Sequence, residues 1–200
     1  MTGSRWLCAT VGLSLVAVGC GASIPTRFVL ERDIGDYRYR RYQRVLDVEI
    51  PVTGNEATGH TATYLHSARG HGMTVTTAFV TVYAHATALA AELGDALRTL
   101  GTYEVTVTEV DGDYVWRVDG GEERWLVWVA GQYMVKLGAP HGTEVPEEIS
   151  GEYLDLYPSD LDEHGRARDG RPSAGASRQQ RQERQHDLDM PTNLREGAPR

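Results

Sequence analysis

The chain has 200 residues, 20 of them Lys or Arg and 28 Asp or Glu, for a formal net charge of −8 at pH 7. Residues 20–161 hold 11 basic and 21 acidic side chains, a formal −10. Taken as an average, that balance argues against non-specific binding of nucleic acid or of an anionic membrane by the folded part.

The front of the chain, MTGSRWLCATVGLSLVAVGCGAS, has one charged side chain, Arg5, then an uncharged apolar run from Trp6 to Val18. Small residues precede Cys20, so the plan is charged, apolar, small, as in a secretory signal peptide over 1–19. The run falls short of the ~20 residues that a membrane-crossing helix needs. Ala17-Val18-Gly19-Cys20 resembles the lipobox of bacterial lipoproteins, with Ala17 where that family prefers leucine. The resemblance implies a diacylglyceryl group on the Cys20 sulfur, cleavage before Cys20 and a membrane partner through that lipid. Gly21 in place of aspartate implies sorting to the outer membrane, facing the periplasm, if the host has two membranes. Cys8 lies in the leader, so a cleaved chain keeps Cys20 alone and forms no internal disulfide. The other readings are a plain secretory leader that leaves a free thiol at Cys20, and a retained apolar anchor.

Residues 20–36 read as a tether. In YRYRRYQRVLDVEI, residues 37–50, the second half reads as a strand. Pro51 to Gly59 is loop chemistry, HTATYLHS (60–67) a second strand, ARGHG (68–72) a turn and MTVTTAFVTVY (73–83) a β-branched third strand. In TALAAELGDALRTL, residues 87–100, Leu89, Leu93, Leu97 and Leu100 form one helical stripe, and Gly101 stands where a C-cap belongs. YEVTVTEV (103–110) alternates, and Asp111-Gly112 predicts a two-residue hairpin turn. The returning strand carries Tyr114, Trp116 and Val118 on one face. RWLVWVA (124–130) is apolar on both faces and so belongs in the interior of a sheet. Gly131-Gln132 turns into a strand over 133–137, and residues 146–157 close with a short helix. The order β-β-β-α-β-β-β-β-α predicts an α+β fold: an antiparallel sheet of about six to seven strands, a central amphipathic helix and a short C-terminal helix, in one domain over 37–161. Residues 162–200, polar and nearly balanced in charge, are expected to be a disordered tail.

Three groups of residues carry candidate chemistry. His60 and His66 share a strand face if the strand is regular, and His71 follows in the turn. With His85 they are four histidines in 26 residues, yet their spacing matches no compact metal-ligand motif. Arg38, Arg40, Arg41 and Arg44 alternate with Tyr37, Tyr39 and Tyr42, a pattern that binds phosphates in some proteins. Here the nearby Asp33, Asp36, Asp47 and Glu49 predict ion pairing at a sheet edge. Trp116, Trp125 and Trp128 read as core and cross-strand aromatics, with glycan binding as the functional alternative. No nucleophile motif, phosphate loop or HExxH spacing appears, and no cofactor is expected. The chain therefore reads as an exported, lipid-anchored envelope protein, a binding or assembly module with a protein or glycan partner and no nucleic acid. The alternative is a periplasmic metal-binding protein or enzyme that uses His60, His66 and His71.

Overall fold

A computed structural model describes residues 23–45, 48, 50–67, 73–140 and 142–168. The elements in chain order are β1 (Arg38–Val45), β2 (Ala57–Ser67), β3 (Met73–Tyr83), α1 (Leu89–Thr99), β4 (Glu104–Val110), β5 (Asp113–Asp119), β6 (Glu123–Ala130), β7 (Tyr133–Pro140) and α2 (Glu147–Leu156). The seven strands form one antiparallel sheet, ordered β1-β2-β3-β7-β6-β5-β4. The expected antiparallel sheet with helices holds, in a strand-heavy form. No helix among the described residues is long and apolar enough to cross a membrane.

The topology follows from two meanders. β1, β2 and β3 pair in sequence. The chain then crosses one face of the sheet through α1 to the far edge, and β4 to β7 walk back until β7 pairs with β3. The Asp111-Gly112 turn is realised with both residues at positive φ, 50° and 82°, the hand that matches strand twist in a two-residue hairpin.

Register assigns the two faces. Trp116, Val127, Lys136 and Phe79 are cross-strand partners on one face; Leu126, Leu137, Ala78, Ala62 and Tyr42 are partners on the other. α1 covers the first face with Leu89, Leu93 and Leu97, all at most 2% exposed, and packs Gly94 against Trp116. Each leucine removed from water is worth about 1.5–3 kcal/mol. α2 covers the second face, where the Tyr153 and Tyr64 hydroxyls lie 2.8 Å apart and Trp128 donates to the Tyr157 carbonyl at 2.7 Å. Two layers of cover explain β6, whose Leu126, Val127, Trp128, Val129 and Ala130 are all buried.

Several local expectations shift. The first strand occupies residues 38–45, the first half of the aromatic-basic stretch rather than the second. The last helical cap is Leu100, with Gly101 beyond it, and Pro146 is the N-cap of α2 rather than part of its first turn. The packed body also exceeds 37–161 at both ends. In the expected tether, Val29, Leu30 and Ile34 are 0%, 7% and 2% exposed. At the other end, β5 pairs with β6 only over Trp116–Asp119, and the chain after α2 fills the space where the two strands part. Leu161 bridges to Tyr114, the Asp160 N–H donates to the Val129 carbonyl, and Arg168 N–H returns to the Asp160 carbonyl. The expected tail thus begins after residue 168 at the earliest. Residues 169–200 lie outside the described residues.

Candidate functional site

The histidines do not form a joint site. His60 sits on β2 at 7% exposure, its Nδ1 2.9 Å from the Tyr42 hydroxyl and its ring 4.8 Å from that of Phe28. Burial, and then the charge of Arg44, lower its pKa. His66 is half-buried against Tyr37, ring centroids 5.0 Å apart. Six residues of strand separate the two by ~20 Å, well beyond the span of one metal ion. His85 is exposed, and its backbone N–H and carbonyl pair with the Asn55 side chain. Among the described residues no three His, Cys, Asp or Glu side chains come close enough to hold one ion. His71 and Cys20 lie outside the described residues.

The arginines of β1 are exposed at all four positions, on an edge strand. The expected ion pairs with Asp33 and Asp36 are not formed. The Asp33 carboxylate instead accepts the Tyr39 N–H at 2.9 Å. Asp47 and Glu49 lie outside the described residues.

The tryptophans divide. Trp116 and Trp128 are core side chains, 2% and 0% exposed. Trp125 is half-buried and lines an open cleft of about 320 Å³ with Tyr103, Gly121, Glu122 and Glu123. Tyr103 arrives from the turn after α1, its ring centroid 5.1 Å from that of Trp125. It fits only because residue 120 is glycine: a Cβ there would lie 2.4 Å from the Tyr103 ring. The indole N–H donates to Glu123 Oε2 at 2.7 Å, which fixes the ring's orientation. Lys136 Nζ lies 4.0 Å from the Trp125 ring centroid and 4.7 Å from that of Phe79, and the residue is 4% exposed. A cation over an aromatic face, shielded from water, is worth about 2 kcal/mol.

The opposite side of the same hairpin is locked by ion pairs. Asp119 accepts from both Arg117 and Arg124, and Arg124 also reaches Glu144. The Arg124 hydrogen bond outweighs burial, which acts in the opposite direction, and together with the Arg117 hydrogen bond it holds the Asp119 carboxyl below the ordinary carboxylate range.

The cleft can therefore present a rigid aromatic platform beside two exposed carboxylates. Rings of this kind stack on the apolar face of a sugar, and carboxylates accept its hydroxyl hydrogens. In the sequence Trp125 stands out only as one of three tryptophans. Tyr103, Glu122, Glu123 and Lys136 carry no functional signal there. The usable signal was the Gly120-Gly121 pair, read as a turn, where backbone without side chains makes room for a neighbouring ring. No protein-family model matches this chain, and no curated protein or solved structure is significantly similar to it.

Proposed function

We propose that this chain is an exported, lipid-anchored binding module of the cell envelope, with a hydroxyl-rich glycan as ligand class. Residues 1–19 are its signal peptide, Cys20 carries the lipid, and the α+β body, braced by the central and C-terminal helices, presents the Trp125–Tyr103 cleft. In a host with two membranes it faces the periplasm from the outer membrane. The observation that carries this reading is the leader: a short uncharged run closing on Ala17-Val18-Gly19-Cys20. The half-buried aromatic pair beside Glu122 and Glu123 supports the binding role and gives it a place.

Mass spectrometry of the mature N-terminus, with and without Cys20→Ala, tests the anchor. The expected product starts at Cys20 with acyl mass attached, and the variant lacks it. An unacylated chain that still begins at Met1 would sink the reading. Retention on isolated envelope glycan tests the cleft. Trp125→Ala should lower it by about five- to 150-fold, since loss of one stacked aromatic anchor costs about 1–3 kcal/mol. Equal retention would remove the glycan assignment and leave the anchor standing.

A further inference from the structure

The charge of the folded part is divided unevenly along the chain. Residues 27–45 hold six arginines and three acids, a formal +3, whereas residues 46–161 hold five basic and 18 acidic side chains, a formal −13. The positive stretch ends in β1, the edge strand of the sheet. Its register shifts between Tyr39 and Arg41, so Tyr39 and Tyr42 pair opposite Tyr64 and Ala62 on the α2 face although they are three residues apart. The two tyrosines hold the strand to the body. The arginines flank its outer rim: Arg38 and Arg41 stand opposite Leu65 and Thr63 on one face, Arg44 opposite His60 on the other, and Arg40 in the bulge. All four are exposed.

The acids around them are largely committed elsewhere. Glu31 pairs with Arg27 at 3.2 Å, Glu152 with Arg32 at 2.6 Å, and Asp33 accepts the Tyr39 N–H; Asp36 is the remaining acid of the segment. Among the described residues, no carboxylate pairs with Arg38, Arg40, Arg41 or Arg44. The described chain begins at residue 23, three residues after Cys20, and three residues span at most ~11 Å. Val29, Leu30 and Ile34 then pack on the body, and the chain leads directly into β1.

We propose that the β1 edge is a membrane-facing surface that lies on anionic lipid headgroups, so that the domain stands edge-on to the leaflet holding its Cys20 lipid. This rests on the lipid-anchor reading above. Guanidinium groups match phosphate oxygens in a two-point contact, and four of them on one rim give a plane something to meet. The acidic remainder is repelled by the same surface, so attraction and repulsion act together to orient the domain. The average charge of the domain points away from an anionic membrane; the placement of its charges points one edge toward it.

The test uses the mature chain, residues 20–200, with Cys20→Ser, which removes the lipid and isolates the edge. Sedimentation with phosphatidylcholine vesicles, and with vesicles containing equimolar phosphatidylglycerol, measures partitioning at low and physiological salt. The chain should bind the anionic vesicles selectively, and added salt should weaken binding. Each arginine contributes roughly fivefold, so Arg38→Gln with Arg41→Gln should lose about 25-fold. The corresponding double Lys variant should keep most of the binding. Arg98→Gln, on α1 and paired with Asp95, should change nothing beyond about twofold. Thermal midpoints within a few degrees of the parent verify that these exposed substitutions leave the fold intact. Equal partitioning to both vesicles, or no loss in the double Gln variant, would overturn the proposal. So would binding that survives the β1 variants but disappears when residues 169–200 are deleted, since that assigns the contact to the tail. Binding to soluble polyphosphate without binding to vesicles would overturn it in favour of a polymer. None of these outcomes depends on acylation, which the N-terminal mass reads separately.

Discussion

The two faces of the sheet are covered by different physics. On the α1 face, Leu89, Leu93 and Leu97 are buried over a sheet surface that carries Trp116, Val118 and Val127, all apolar and buried, with Gly94 against Trp116. On the α2 face, buried aromatic side chains grip backbone. The Tyr64 hydroxyl donates to the Leu30 carbonyl at 2.6 Å, the Leu30 N–H donates to the Tyr153 hydroxyl at 3.2 Å, and the Tyr157 hydroxyl donates to the Phe28 carbonyl at 2.7 Å. The difference tracks what is being held. A helix satisfies its own backbone and needs only apolar burial. Residues 28–34 form no helix or strand, so their buried N–H and C=O groups must be met by side chains from elsewhere. Tyrosine brings a large apolar ring and one hydroxyl, which suits that task.

The largest effect should come from crowding the apolar face. Gly165 has φ +70°, and a Cβ there would lie 2.5 Å from Trp116 Nε1 and 2.8 Å from Val107 Cγ2. Gly165→Ala adds overpacking of about 1–3 kcal/mol to backbone strain of about 1–2. The thermal midpoint should fall by about 10 °C. Gly54→Ala separates the two contributions. Its φ is +75° with nothing within 4 Å, so it should cost only the strain. Equal losses at both positions, measured by thermal unfolding, would show that packing on Trp116 is not what constrains Gly165.

The polar face is broken more gently and more locally. Tyr153→Phe keeps the ring and leaves the buried Leu30 N–H without its acceptor, at a cost of about 1–3 kcal/mol. Amide exchange of residues 28–34 should accelerate in this variant while the amides of α1 keep their protection. Uniform acceleration throughout would mean that the hydroxyl supports the fold as a whole rather than this segment. The same face sets the alkaline limit. Burial holds the Tyr153 phenol at about 12, and it also raises Tyr64 and Tyr157 above the ordinary value of 10.0. Unfolded chains lose these protons first, so the native state binds more protons as pH rises beyond 10. Stability should be intact below pH 10 and fall steadily toward pH 12. Tyr153→Phe should make that fall shallower, read from denaturant midpoints across the range.

How much of this is visible in the sequence depends on whether a residue's role is periodic. The alternation of residues 104–110, the Asp111-Gly112 turn and the double-sided apolarity of β6 all follow from local rules, and all appear. β1 lies earlier than the strand expected in the second half of 37–50 because its bulge puts Tyr39 and Tyr42 on one face three residues apart, which a period of two cannot register. Val29, Leu30 and Ile34 have no period, and the groups that hold them, Tyr64, Tyr153 and Tyr157, are distant in the chain. Residues 162–168 look like polar tail, yet with 159–161 they fill a gap made by β5 and β6 diverging, which no local pattern announces. The cleft obeys the same rule. Trp125 was one candidate among three. What distinguishes it is its place beside Tyr103, 22 residues earlier, and Lys136, 11 later.

The ion pairs outside the cleft predict a smaller effect at acid pH. The Asp119 carboxyl is held down in the folded state, so its contribution is present above the unfolded carboxylate pKa and is lost as pH falls through the folded value. Asp119→Asn should flatten the acid limb of the stability profile below about pH 4 and leave the alkaline limb unchanged. A variant whose acid limb matches the parent would show that Arg117 and Arg124 stabilise the hairpin without this carboxylate.

The smallest expected effect has the opposite sign and tests the comparison at its weakest point. On the α2 face, Thr76 is 0% exposed, and its hydroxyl finds no hydrogen-bond partner among the described residues. It pairs across the sheet with Tyr64, whose own hydroxyl is engaged with Leu30 and Tyr153. A buried hydroxyl without a partner costs about 1–3 kcal/mol relative to one in water, whereas a methyl group in the same place gains from burial. Thr76→Val keeps the β-branched shape that a strand favours and exchanges that hydroxyl for a methyl. The variant should be up to about 1 kcal/mol more stable, read as a higher denaturant midpoint at unchanged slope. A loss of more than about 1 kcal/mol would mean that the hydroxyl is bonded, and that this face leaves no buried polar group without a role.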